Sequence, residues 1–100
     1  MDHVEIFKAL SNQTRLQILN WLKNPEEHFS EEKGVDMAST GVCVGLIQKK
    51  SGLSQSTVSE YLSVLQRAGL IESTRIGQWT YYRRNENGLS EFIKSLESGI

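Results

Sequence analysis

Residues 45–82 read GLIQKKSGLSQSTVSEYLSVLQRAGLIESTRIGQWTYY, and the order of patterns within them decides the fold. Gly45–Ser51 has the spacing of a short helix, with Leu46 and Ile47 inward and Lys49 and Lys50 outward. Gly52 follows as a turn residue, and Ser54 is a good N-cap because its side-chain oxygen can accept from an otherwise unpaired backbone N–H of the next turn. The helix it opens runs to about Ala68, with Gly69 closing it. Val58, Leu62, Leu65 and Ala68 return at intervals of three or four and form its inward stripe. Gln55, Ser56, Ser59 and Glu60 point outward in the first turns, and Ser63 follows one turn later. Leu70–Ile76 and Trp79–Arg84 are then two β-prone runs around Gly77-Gln78, a Gly-X pair that suits a type II′ hairpin.

Working outward, Val42–Val44 suits a brief strand. Upstream of it, residues 25–41 are acidic and carry Gly34 and Gly41; they read as an insertion, either an extended loop or one helical turn around Glu26–Phe29. A first helix is expected from about Asp2 to Leu10, with Val4, Phe7 and Leu10 three residues apart. Ser11 or Asn12 then caps a second, over Arg15–Lys23, with Leu16, Leu19 and Leu22 on one apolar stripe and Ile18 and Trp21 on another. Pro25 stops it at about Asn24. At the far end Leu89, Phe92, Ile93, Leu96 and Ile100 mark a C-terminal helix over 88–100. The whole is one domain of 100 residues, mainly helical with a small β-hairpin wing and about five helices.

Short helix, tight turn, capped polar helix and hairpin, in that order, make a winged helix-turn-helix. A helix fits the major groove of B-DNA, and its first turns can set short polar side chains against base edges. Gln55 suits adenine, the Thr57 methyl suits a thymine methyl, and Ser56 and Ser59 suit phosphate or base. Lys49 and the hairpin residues Arg75, Gln78, Tyr82 and Arg83 would flank that contact. The formal net charge of −1 hides the necessary polarity. Residues 41–84 sum to +4, between an acidic stretch of −4 over 25–40 and one of −2 over 85–100. No phosphate-cradling glycine loop or nucleophile elbow is present, and two separated histidines with one cysteine make no catalytic set, so an enzyme is excluded.

The run Gly52-Leu53-Ser54-Gln55-Ser56-Thr57-Val58-Ser59, then Leu62, Leu65 and Ala68-Gly69-Leu70, resembles the DNA-binding core of the ArsR family of bacterial repressors, as do Gly77, Trp79 and Tyr81-Tyr82. FKALSNQTRLQILNWL, residues 7–22, is similar to that family's first two helices. The resemblance implies a homodimeric regulator on a palindromic operator of double-stranded DNA, its first and last helices packing across a two-fold axis. Two departures stand out: Glu60-Tyr61 where members often have Arg-His, and Gln78 where the wing tip often has arginine. Both lower the positive charge where the groove would lie. They motivate an alternative, a winged-helix protein-interaction module that has lost specific DNA binding.

Many relatives bind metal through a Cys-Val-Cys run where this chain has Cys43-Val44-Gly45, and others through His and acidic residues of the last helix, where this chain has Glu91 and Glu97 but no His. A zinc or arsenite site needs three or four donors, so neither ligand set is complete and no metal or other cofactor is expected. One cysteine forms no disulfide within a protomer, and Cys43 is expected as a small buried hydrophobe. An unidentified small-molecule effector is left open, with Trp21, Phe29, Met37 and the last helix as candidate lining. Independently of any family, the stripes Val4/Phe7 and Leu89/Phe92/Ile93/Leu96 exceed what one small core covers, which argues for a homodimer. With no secretory address and no apolar run near the ~20 residues that cross a bilayer, a reducing, cytoplasmic setting without a membrane partner is expected.

Overall fold

The computed structural model of the chain describes residues 2–30 and 34–99. Helix α1 (His3–Leu10) is opened by Asp2, whose carboxylate accepts from Glu5 N–H at 3.2 Å. Helix α2 (Gln13–Trp21) is opened by Asn12, which accepts from Arg15 N–H at 2.9 Å. Of the two caps expected there, Asn12 is the one used. Ile18, Leu19 and Leu22 are buried, whereas Leu16, expected on the same stripe, is 44% exposed. At about 100° per residue, Leu16 falls roughly 120° from the middle of the Ile18–Leu22 face, too far round to reach the core.

Helix α2 ends before Asn24, and Pro25 does not stop it but opens α3 (Pro25–His28) at the first helical position, where the missing N–H costs nothing. The short helical turn, not the extended loop, is the alternative that holds. Pro25, Phe29 and Met37 are buried, and Trp21 meets Phe29 edge to face at 6.2 Å, so the insertion is anchored to α2. A turn at Asp36, whose carboxylate accepts from Ala38 N–H and Ser39 O–H, then leads into the sheet.

Strand β1 (Val42–Cys43), helix α4 (Val44–Ser51), helix α5 (Gln55–Arg67), strands β2 (Ile71–Ile76) and β3 (Trp79–Arg84) and helix α6 (Glu86–Glu97) complete the chain. Val44, expected at the end of the strand, opens α4 instead. The wing is more than a hairpin: β1 pairs antiparallel with β3 through Val42 with Tyr82 and Cys43 with Tyr81, in the sheet order β1-β3-β2. The hairpin register closes at Ile76 opposite Trp79. Gly77 has φ of +62° and, among the described residues, no non-glycine residue has positive φ, which excludes the type I′ turn and agrees with type II′.

Helix α6 begins at Glu86, two residues before the expected start, because Asn85 caps it. The Asn85 amide accepts from Gly88 N–H at 3.0 Å and donates to the Gly69 carbonyl at 2.9 Å. Gly88 is required there, since a Cβ would come within 2.5 Å of Gly69 O. Ile100 lies outside the described residues. The core gathers Ile6, Ile18, Ile47, Leu62, Leu65 and Leu70, all fully buried, so α1, α2, α4 and α5 hold one another around the base of the sheet. Cys43 is buried at the sheet's inner end.

Candidate nucleic-acid interface

Helices α4 and α5 are joined through Gly52–Ser54, and Ser54 caps the second of them. Ser54 Oγ accepts from Thr57 N–H at 3.3 Å and donates to Thr57 Oγ1 at 2.9 Å. The Thr57 side chain is half-buried, so its hydroxyl serves the cap and its methyl is the part left over. Gln55, Ser56, Ser59, Glu60 and Ser63 are all exposed, and opposite them Val58, Leu62 and Leu65 are buried. Amphipathic spacing thus forces one face into the core and leaves a polar, nearly uncharged face at the helix start, where the backbone dipole favours an anion. Ser54, although exposed, is already committed to the cap.

Glu60 and Tyr61, the two departures on this helix, go different ways. Glu60 is exposed and lies 3.9 Å from Arg67. Tyr61 turns back toward the α1–α2 junction. Its hydroxyl accepts from Asn12 Nδ2 at 3.4 Å, and its ring lies under the Arg15 guanidinium at 5.3 Å. Arg15 in turn donates to the Ala9 carbonyl at 2.7 Å and the Lys8 carbonyl at 2.9 Å, closing the end of α1. The expected loss of groove charge at position 61 is therefore corrected: Tyr61 ties the outward helix to the start of α2.

The wing stands beside α5 and is held to it by Gln66, whose amide donates to Ser73 Oγ at 3.0 Å. Between them lies an open cavity of about 440 Å³ lined by Ser59, Ser63, Gln66, Arg67 and Tyr82. It brings the expected Ser59, Ser63 and Tyr82 together with Gln66 and Arg67, which the outward stripe, followed only as far as Ser63, missed. Continuing that stripe by three and four residues would have found both. Burial pushes the Tyr82 phenol above the usual tyrosine range.

Charge is spread unevenly over the expected contacts. Arg83 donates to Thr74 Oγ1 at 2.7 Å and pairs with Glu72 at 3.3 Å. Arg84 pairs with Glu86 at 2.8 Å. Lys49 is exposed with no ion pair among the described residues, Lys50 lies over the Trp21 ring at 5.2 Å, and Arg75 Nε donates to the Gly77 carbonyl at 3.2 Å. Gln78 is exposed at the tip.

A family model described as bacterial regulatory protein, arsR family, matches residues 42–73, from β1 into β2. The uncharacterized HTH-type transcriptional regulator YbzH of Bacillus subtilis is 52% identical over the full length of both chains. The chain belongs to the ArsR family. The transcriptional repressor SdpR of Bacillus subtilis is 33% identical over 88% of this chain and 81% of its own. The homodimeric winged helix-turn-helix DNA-binding domain of a protein from Mycobacterium bovis described as a possible ArsR-family transcriptional regulator, a solution structure, superposes with a TM-score of 0.65 at 31% identity, over 90% of this chain and 70% of that one. This ArsR-family protein is a DNA-binding transcriptional regulator, in a family of regulators and not of enzymes.

The family's thiolate site does not fit the residues present. Cys43 is buried with its backbone in the sheet, and Gly45 supplies no donor. Among the described residues, His, Cys, Asp and Glu side chains nowhere gather in threes. His3 packs against both Phe7 and Phe92 and hydrogen-bonds Ser95 Oγ at 2.7 Å, which fastens α1 to α6. Of the residues expected at the two-fold axis, Val4, Phe7, Ile93 and Leu96 are exposed, while Leu89 and Phe92 are buried within the protomer. Among the described residues no helix is long and apolar enough to cross a membrane. A second cavity, of about 320 Å³, lies between the insertion and β3; its lining includes Leu22, Met37, Val42 and Tyr82, with neither Trp21 nor Phe29 taking part.

Proposed function

We propose that this regulator is a cytoplasmic, homodimeric repressor that reads a palindromic operator with α5 and steadies itself with the wing. One observation carries the reading: a Ser54-capped helix exposes Gln55, Ser56 and Ser59 at its start, beside a cavity shared with the wing. Side chains of that kind suit hydrogen bonds to base edges, while Lys49, Arg75, Tyr82 and Arg83 flank them for the backbone. Repression follows from occupying DNA that polymerase needs, and SdpR, a third identical, is itself named a repressor.

The exposed Val4, Phe7, Ile93 and Leu96 support the dimer, because α1 and α6 already pack together and present these side chains outward. The related Mycobacterium bovis domain is homodimeric. A two-fold axis through this face would set two copies of α5 about one DNA turn apart, ~34 Å. The lone thiol of Cys43 and the absence of His from α6 support a regulator that does not sense metal through the family's sites.

Selection of bound fragments from the native genome, with and without added metals, tests this. Retained fragments should share a two-fold symmetric sequence, and light scattering at micromolar concentration should give twice the protomer mass. Ile93→Glu should yield a monomer with weakened binding. Fragments without common sequence, or release by zinc or arsenite, would overturn the reading.

A further inference from the structure

The cavity of about 320 Å³ between the insertion and β3 mixes buried hydrocarbon with unevenly matched charge. Leu22, Met37 and Val42 line it and are all buried. Lys23 and Glu26 line it too; both are exposed, without an ion pair among the described residues, and they offset each other in charge. Arg83 is spent on Thr74 and Glu72 of the neighbouring strand. Arg84 is not spent. Its side chain is only 16% exposed, yet among the described residues its guanidinium makes one hydrogen bond, from Nε to Glu86 at 2.8 Å. Its two terminal nitrogens therefore meet no acceptor there. Covering a guanidinium while leaving most of its donors unmatched is unfavourable, and its planar fork suits a carboxylate that takes two hydrogen bonds at once.

We propose that this cavity is an effector site for a small carboxylic acid with an apolar body, and that the bound acid weakens the hold on DNA. The carboxylate takes the unused donors of Arg84, and the hydrocarbon covers Leu22, Met37 and Val42. The size is adequate, since small-molecule sites begin at about 300 Å³. The insertion thereby gains a role, because it supplies Pro25, Glu26, Met37 and Ala38 of the lining. Two features tie the site to DNA. Tyr82 lines both this cavity and the one beside α5, so filling one bears on the residue that shapes the other. Arg83 lines it as well, and an anion within a Debye length, ~8 Å at physiological salt, lowers that cation's attraction for phosphate. The site stands on the geometry alone; the effect on DNA rests on the operator reading above.

The test titrates the full chain, without DNA, with octanoate, benzoate and indole-3-acetate, each beside its uncharged primary amide. Binding is read by calorimetry and by NMR shifts of the Met37 and Val42 methyl groups. At least one acid should bind and shift those methyls, its amide should bind about tenfold more weakly, and Arg84→Gln should lose the difference. Ala38→Trp, at an exposed position of the lining, should block the acid while the unfolding midpoint and the affinity for DNA stay as in wild type. With the duplex recovered by genomic selection, saturating acid should weaken DNA binding about tenfold, and the duplex should weaken acid binding by the same factor, as linkage requires. If no acid of the set moves the methyls, if acid and amide bind alike, or if Ala38→Trp binds the acid as wild type does, the site is overturned. An acid that binds there and leaves DNA affinity unchanged overturns the effector role. If wild type binds no duplex selectively, the operator reading falls and the effect on DNA with it, while the titration without DNA still decides the site.

Discussion

Helix α5 and the wing border the same cavity but expose different chemistry around it. Over its first turns the helix shows short neutral hydrogen-bonding groups and, at Glu60, one acid. The wing shows cations, several already matched by carboxylates, and an apolar tip. The +4 of residues 41–84 is therefore not a free positive face, because Arg67, Arg83 and Arg84 each lie within 4 Å of a glutamate. On the proposed operator reading, the difference assigns discrimination between sequences to α5 and salt-dependent affinity to its surroundings.

The largest effect should come from stripping the helix. Gln55→Ala with Ser59→Ala should lower preference for the operator over unrelated DNA by about a hundredfold, since a good bidentate base contact is worth roughly 1–3 kcal/mol. Binding to unrelated DNA should hardly change, as measured by competition titration. Equal loss on both duplexes would break the division.

Next comes the joint behind the helix. Arg15→Ala removes two hydrogen bonds to the end of α1 and the contact over Tyr61. It should cost about 2 kcal/mol in urea unfolding at unchanged slope. Tyr61→Phe, which removes only the long bond from Asn12, should cost far less.

Smaller still is a contrast within the wing. Arg75→Ala should flatten the salt slope by about 0.9, the value for one phosphate contact. Arg83→Ala should flatten it less, because Glu72 already offsets that charge. Equal slopes would mean that the Glu72 pair opens on DNA.

The smallest effect concerns Tyr82. Its raised pKa, caused by burial, means that the folded chain holds the phenolic proton more tightly than the unfolded chain. That contribution to stability is complete below the ordinary tyrosine pKa and is lost as pH rises through the folded value. Tyr82→Phe should unfold with less dependence on pH above about 10.

The parts legible in the sequence were those governed by local rules. Ser54 as cap, the Val58/Leu62/Leu65 stripe and the Gly77-Gln78 turn depend only on residues a few places apart, and each stands where periodicity and turn chemistry put it. What escaped depends on partners distant in the chain. Strand β1 is two residues long, and its pairing with Tyr81 and Tyr82 spans almost forty residues. Tyr61 looked like a groove residue because its partners, Asn12 and Arg15, lie on another helix. Arg83 looked free because Glu72 is a cross-strand neighbour eleven residues away. Leu16 was assigned inward by a spacing of three, which drifts off a face that turns every 3.6 residues. For the candidate contacts themselves, exposure and type were readable on α5, while Gln66 and Arg67 emerge only once the wing stands beside the helix.

The central claim is that two copies of α5 read two half-sites. Footprinting of the selected duplex with a major-groove methylating reagent and with hydroxyl radical tests it most directly. The account predicts two protected major-groove segments, related by two-fold symmetry and centred about 10 base pairs apart. The Gln55→Ala, Ser59→Ala protein should lose this protection. A footprint without symmetry, or one that the alanine protein reproduces, would contradict the claim.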